Sequence, residues 1–244
     1  MASTTDNVIT LPEEFLQRLG QIIPQAQLAG VLSTFSVPKP ISFRINALHN
    51  RADVLADMAG IGCEIEEVPW YADAYVLTDR ERAGDLEDLI AQGKIYRQGL
   101  SSMLAALILD PRPGEAVLDA CAAPGSKTSL IAALMNNTGR IVAVERVKSR
   151  LYKLQAVLKQ QGVTNVRSVL ADIRRYRAEE GLFDRVLVDA PCSSEGRFQT
   201  FNKRSVNYWS LRKIREMVRK QRGIINSAAR LLRPGGTLVY ATCT

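Results

Sequence analysis

The chain has 244 residues, 46% of them hydrophobic, a formal net charge of +7, four cysteines and one histidine, His49. That is enough for one large domain or two small ones; no run of eighteen apolar residues offers a transmembrane helix, and the Cys/His set is too sparse for a zinc site. "MASTTDNVIT" has neither the basic nor the apolar region of a secretion signal. Cys63, Cys121, Cys192 and Cys243, far apart and without a CxxC, therefore read as small buried apolar residues of a cytoplasmic protein.

In chain order, residues 11–34 suggest two short helices split by Pro24. "PKPISFRINAL" is a proline-bounded extended run, "RADVLADMAG" a helix closed by Gly60, and "CEIEEVPWY" alternates as a strand does. Residues 1–95 thus form a small α+β module. From residue 96 the pattern changes. The apolar runs "AVLDACA", "RIVAVER", "VRSVLAD", "FDRVLVDAP" and "GTLVYATC" alternate with helical stretches near 126–137, 147–162 and 208–232. Continuous apolar strands separated by helices describe a mainly parallel sheet covered on both faces, a doubly wound, Rossmann-like α/β domain over residues 96–244. No internal repeat or low-complexity segment interrupts it.

Charge is divided unevenly. Residues 1–139 carry 10 Lys/Arg against 17 Asp/Glu, whereas residues 140–244 carry 22 against 8. The densest part, "NKRSVNYWSLRKIREMVRKQR" (202–222), interleaves bases with Tyr208 and Trp209, a pattern suited to unstacked nucleic acid. Ile214, Met217, Val218 and Ile225 keep helical spacing, so part of this charge faces water.

Sheets of this kind bind ligands at the carboxyl ends of their strands. The first ends in "DACAAPGSKT", whose small residues let a ligand approach the backbone ahead of a helix N-terminus. It is neither a Walker A loop nor GxGxxG. The second strand ends in Glu145, about twenty residues on, where an acid can accept both ribose hydroxyls of an adenosine. The third ends near Asp172, placed for an adenine amino group. The fourth ends in "DAPCS", with Asp189 and Cys192, and the fifth in "ATC", with Cys243. Each strand-end acid, taken singly, also fits a helix cap.

The series "VLDACAAPGSKT", Glu145, Asp172, "DAPCS" and "YATCT", preceded by "FRINAL" and "GKIYRQGLSSMLAALILDPRPGEAVLDACAAPG", resembles the RNA cytosine-C5 methyltransferases of the Rsm/Nop/NSUN type, the bacterial ribosomal-RNA enzymes above all. The resemblance covers nearly the whole chain. It implies S-adenosylmethionine as cofactor, with Ala122, Ala123, Pro124, Gly125, Ser126, Lys127 and Thr128 cradling its methionine part, Glu145 on the ribose and Asp172 on the adenine. It implies Cys243 as the nucleophile adding to C6 of cytosine, Cys192 as the group assisting product release, and Asp189 holding the N3/N4 edge of the base and touching the cofactor.

The residues alone do not choose between Cys243 and Cys192 as the nucleophile. Lys127 is either a first-turn helix residue or an active-site cation near Asp189, and Arg150 either reaches the cofactor or faces water. An RNA partner follows from the resemblance, ribosomal rather than transfer RNA, with no membrane and no metal. The alternative is a non-catalytic RNA-binding or ribosome-assembly factor that keeps the fold. Two departures stand out. "SEG" replaces the family's Gly-x-Gly after "DAPCS", and the chain stops where the family's sheet continues, so it reads as truncated at its C-terminus.

Overall fold

A computed structural model describes residues 9–178 and 181–243; the reading of the first eight residues, and Thr244, lie outside them. The described residues fall into two compact units, one of Pro40–Ala190 with Arg222–Ala241, the other of those within Met1–Lys39, Pro191–Gln221 and Thr242–Thr244. No helix among them is long and apolar enough to cross a membrane.

The larger unit contains two sheets. The first is antiparallel, in the order β2 (Ile65–Glu67), β3 (Ala74–Leu77), β1 (Ile41–Ile45), β4 (Ile95–Arg97). Helix α3 (Arg51–Ile61) packs on it through Val54 and Met58, which join Phe43, Tyr75, Leu77 and Ile95 in one buried cluster. Asn50 starts α3 by accepting the Ala52 N–H at 2.9 Å. The helix closes at Gly62 (φ 74°), not at Gly60, because the left-handed C-cap falls there. The strand read from "CEIEEVPWY" shrinks to three residues. Strands β3 and β4 and helix α4 (Glu87–Ala91) escaped the sequence reading because each is only three to five residues long.

The second sheet holds the five expected strands in parallel, in the order β7 (Val166–Leu170), β6 (Arg140–Glu145), β5 (Ala116–Asp119), β8 (Phe183–Asp189), β9 (Leu232–Ala241). Crossover helices follow the short-run pattern: α6 (Ser126–Leu134), α7 (Lys148–Gln160) and α8 (Leu211–Ala229), with α5 (Leu100–Leu109) ahead of β5. Val117, Leu118, Val142, Val144, Val186 and Val188 are buried in clusters on the two faces of the sheet. Each such side chain contributes about 1.5–3 kcal/mol on burial, which is why a strand apolar at every position is stable only here. On α8 the buried positions are Met217, Ile224 and Ala228, while Val218 is 39% exposed, one position off the stripe read from sequence.

In the smaller unit, α1 (Glu13–Ile22) and α2 (Gln25–Thr34) meet the segment after residue 191. Phe15 packs edge-on against Phe35, Phe198 and Trp209 at centroid distances of 5.7, 5.0 and 5.8 Å. The backbone joins in: the Thr200 N–H donates to the Phe35 carbonyl and the Ile9 N–H to the Thr200 carbonyl.

Gly93, in the turn before β4, ties the two sheets of the larger unit together. Its carbonyl accepts from Asn46 Nδ2 at 3.0 Å and from Gln161 Nε2 at 3.3 Å. Its φ is +71°, and a Cβ there would lie 2.0 Å from the Gln160 carbonyl oxygen. Gly93→Ala should therefore cost about 2–4 kcal/mol and lower Tm by roughly 5–12 °C; a calorimetric scan with unchanged Tm would show that this turn does not hold the sheets.

Candidate active site

The strand order reverses between β5 and β8, so the carboxyl ends of these two strands flank the sheet's switch point. Asp119 ends β5 and Asp189 ends β8. The Asp119 carboxylate is buried and accepts the Thr128 hydroxyl at 2.7 Å through Oδ2, while Oδ1 is buried without a hydrogen-bond partner among the described residues. Burial, then the charge of Asp189, pushes its pKa up to about 6 against the Thr128 hydroxyl, Lys127 and the Cys121 N–H. Sequence reading passed Asp119 over; the signal was a lone acid closing an otherwise apolar strand.

The loop from Cys121 to Gly125 then turns into α6. Gly125 is its N-cap, and the first-turn N–H groups of Ser126, Lys127 and Thr128 have no intrahelical acceptor. Ala122 and Ala123 are buried with Leu151, Leu154 and Leu158 of α7, which fixes the loop from behind. Asp119, Cys121, Pro124, Ser126, Lys127 and Asp189 line a narrow cleft together with the two alanines. A buried carboxylate oxygen in want of a donor, beside N–H groups in want of an acceptor, fits a ligand carrying both an ammonium and a carboxylate. The methionine part of S-adenosylmethionine is such a ligand.

Glu145 ends β6 and is 4% exposed. Its Oε1 accepts the Val147 N–H at 2.8 Å, and Arg150 reaches its Oε2 at 3.3 Å while donating to the Ala123 carbonyl at 2.6 Å. Arg150 thus ties the loop to the acid, a role that neither sequence reading of it gave. Asp172 lies two residues beyond β7 and is held by Arg174, through the guanidinium and the backbone N–H at 3.0 Å, which depresses its pKa to about 2. A ligand at Asp172 would share it with Arg174.

Lys127 reaches across to Asp189: Nζ stands 2.7 Å from Oδ2 and 2.9 Å from the Ser102 hydroxyl, and the side chain is 11% exposed. Lys127 therefore stands beside Asp189, as one of its two sequence readings expects, and is not a solvated first-turn residue. Cys121 in the same cleft is a poor nucleophile, since burial and then the charges of Asp119, Glu145 and Asp189 push its pKa up to about 12.

In the smaller unit, the Cys192 and Cys243 sulfurs lie 2.8 Å apart, each 3.9 Å from the Ser194 hydroxyl, without a disulfide. The Gly196 N–H donates to the Cys243 carbonyl at 3.0 Å, and a Cβ on Gly196 would come within 2.3 Å of that oxygen, so the "SEG" loop keeps a glycine where the backbones touch. Cys243 is exposed and the other three cysteines are half-buried, which corrects their reading as core residues: each follows or precedes a strand end rather than sitting inside one. The neighbouring Cys192 sulfur raises the pKa of the Cys243 thiol far above its ordinary value, and partial desolvation of this otherwise exposed residue adds to it; the Ser194 hydroxyl and Arg197 oppose it. Thiols this close share a proton and do not ionise independently.

The basic stretch 202–222 needs one correction. Trp209 is no stacking platform for a base, because its ring sits in the Phe15–Phe198 cluster and its Nε1 donates to Glu195 at 2.7 Å. Tyr208, 88% exposed, is free of that constraint.

The profile of the 16S rRNA methyltransferase RsmB/F family matches residues 106–244, and that of the N-terminal domain of 16S rRNA methyltransferase RsmF matches residues 11–99. The chain is 38% identical to the ribosomal RNA small subunit methyltransferase F of Aeromonas hydrophila over 96% of its own length and 51% of that protein, and 36% identical to that of Shewanella amazonensis over 97% and 52%. It spans about half the length of these curated relatives. A solved structure of a methyltransferase homolog protein from Pyrococcus horikoshii matches with a TM-score of 0.81 at 30% identity, covering 94% of this chain and 76% of that one. With family profiles matching both segments, and the larger match lying over the sheet and the cysteine-bearing strand ends, the chain belongs to the RsmB/F family of 16S rRNA methyltransferases.

Proposed function

We propose that this chain transfers a methyl group from S-adenosylmethionine to C5 of a cytosine in small-subunit ribosomal RNA, through a covalent adduct between Cys243 and C6. The observation that carries the reading is the pair of sulfurs 2.8 Å apart on the residues following β8 and β9. The names of the relatives support a ribosomal rather than a transfer RNA, and residues 1–95 are proposed as an accessory RNA-binding module.

The cofactor would supply an electrophilic methyl on a sulfonium. Asp119 Oδ1 and the N–H groups at the start of α6 would hold its amino-acid end, Glu145 its ribose and Asp172 its adenine. C5 of cytosine is a weak nucleophile, and addition of a thiolate at C6 raises electron density there, dividing one difficult step into easier ones. Cys243 attacks; Asp189, oriented by Lys127, holds the N3/N4 edge as charge develops on the ring. Because Cys192 holds Cys243 as a thiol, a proton must leave the pair before attack. In the second half water takes the C5 proton, the Cys243–C6 bond breaks as the ring C5=C6 bond re-forms, and Cys192 gives a proton to the departing Cys243 thiolate.

Three outcomes are expected. Incubated with rRNA and cofactor, Cys192→Ala accumulates a protein–RNA complex that survives a denaturing gel, while Cys243→Ala forms none; the reverse pattern would give the nucleophile's role to Cys192. Removing Cys192 also lowers the Cys243 pKa, so iodoacetamide should alkylate Cys243 at pH 8 at least ~10-fold faster in Cys192→Ala than in the parent; equal rates would refute the shared proton. Calorimetry with S-adenosylhomocysteine should show ~10–100-fold weaker binding for Glu145→Ala. No binding by the parent chain would favour a non-catalytic assembly factor instead.

A further inference from the structure

Arg44, in the "FRIN" stretch of β1, has no exposed surface and makes no ion pair among the described residues. A buried guanidinium is costly to desolvate, and burial here lowers its pKa to about 10. Neutral groups hold it. Nε donates to Gln98 Oε1 at 3.0 Å, Nη2 to the Ser129 hydroxyl at 2.8 Å, and the guanidinium lies 5.3 Å from the centre of the Tyr96 ring.

The polarity of these contacts is fixed at one end. Arginine only donates, so Gln98 must turn its oxygen toward Arg44 and its Nε2 the other way. That Nε2 donates to the Ser102 hydroxyl oxygen at 3.2 Å. The same oxygen accepts from Lys127 Nζ at 2.9 Å, and Lys127 completes the run on Asp189 at 2.7 Å. A second branch fixes the backbone of Lys127: the Ser129 hydroxyl donates to the Ser126 carbonyl at 3.2 Å in the first turn of α6. Both the ammonium and the turn that carries it are therefore tied to one buried arginine on the other sheet.

We propose that Arg44, Gln98 and Ser102 form a positioning array that sets the Lys127 ammonium against Asp189; the inference rests on the reading of Asp189 as the group that holds the target base. None of the three lines the cleft that Lys127 and Asp189 border. A purely structural role for them, as packing between the two sheets, would leave Lys127 unaffected in any folded variant.

The test reads Lys127 directly, as its rate of reductive methylation in the full chain, mapped by peptide mass spectrometry with Lys94 as internal reference. Ser102→Ala and Gln98→Met should each speed modification of Lys127 by ~10-fold, the order expected on losing a hydrogen bond to a charged group. Lys94 should not change, Ser102→Thr should restore the slow rate, and the exposed neighbour Ser101, changed to Ala, should have no effect. A parental Lys127 rate in folded Ser102→Ala, or Lys127 and Lys94 rates rising together, overturns the array. If Ser102→Ala does not fold, as a thermal melt would reveal, Gln98→Met decides on the same criteria. The readout needs neither cofactor nor RNA, so a chain that bound no S-adenosylhomocysteine would defeat the proposed function and leave this measurement intact.

Discussion

The reversal of strand order between β5 and β8 is the constraint on which the rest depends. Crossover helices leave the sheet in opposite directions on either side of that line, so a crevice opens at the carboxyl ends. Asp119 and Asp189 stand at its two lips because they are the last residues of those strands. Once they are there, local chemistry follows. Two carboxylates near one another in a partly dry cleft raise the cost of a second negative charge, and the Lys127 ammonium bonded to Asp189 offsets it. Asp119 is left with one buried oxygen that has no hydrogen-bond partner among the described residues.

The thiol pair obeys a related rule. Carboxylate beside carboxylate calls for the Lys127 cation on Asp189, and sulfur beside sulfur makes the cysteines share a proton. Two cysteines at neighbouring strand ends do not ionise independently, so proximity alone makes one of them modulate the other.

Much of the large sheet could be read from residues, since runs such as "RIVAVE" and "FDRVLVD" are apolar at nearly every position and only a doubly covered strand tolerates that. The strand-end acids and cysteines followed from those boundaries. What stayed hidden had weak local signals. β3 and β4 are four and three residues long and owe their existence to pairing with β1. Trp209 looked available because its neighbours are basic, and only the aromatic cluster shows it engaged. Gln98 and Ser102 are ordinary polar residues in sequence; their meaning comes from Arg44 lying buried on the far side of them.

The aromatic cluster of the smaller unit has a consequence for synthesis. Phe15 and Phe35 leave the ribosome long before Phe198 and Trp209, and about 160 residues separate the two halves of that core. The first two helices therefore emerge with an apolar face that has nothing to bury it, and they must wait until most of the parallel sheet has been made. Contacts so distant along the chain form late and slowly. The segment carrying Cys192 is thus among the last parts to be ordered, so the thiols meet only after the sheet's strands have been made.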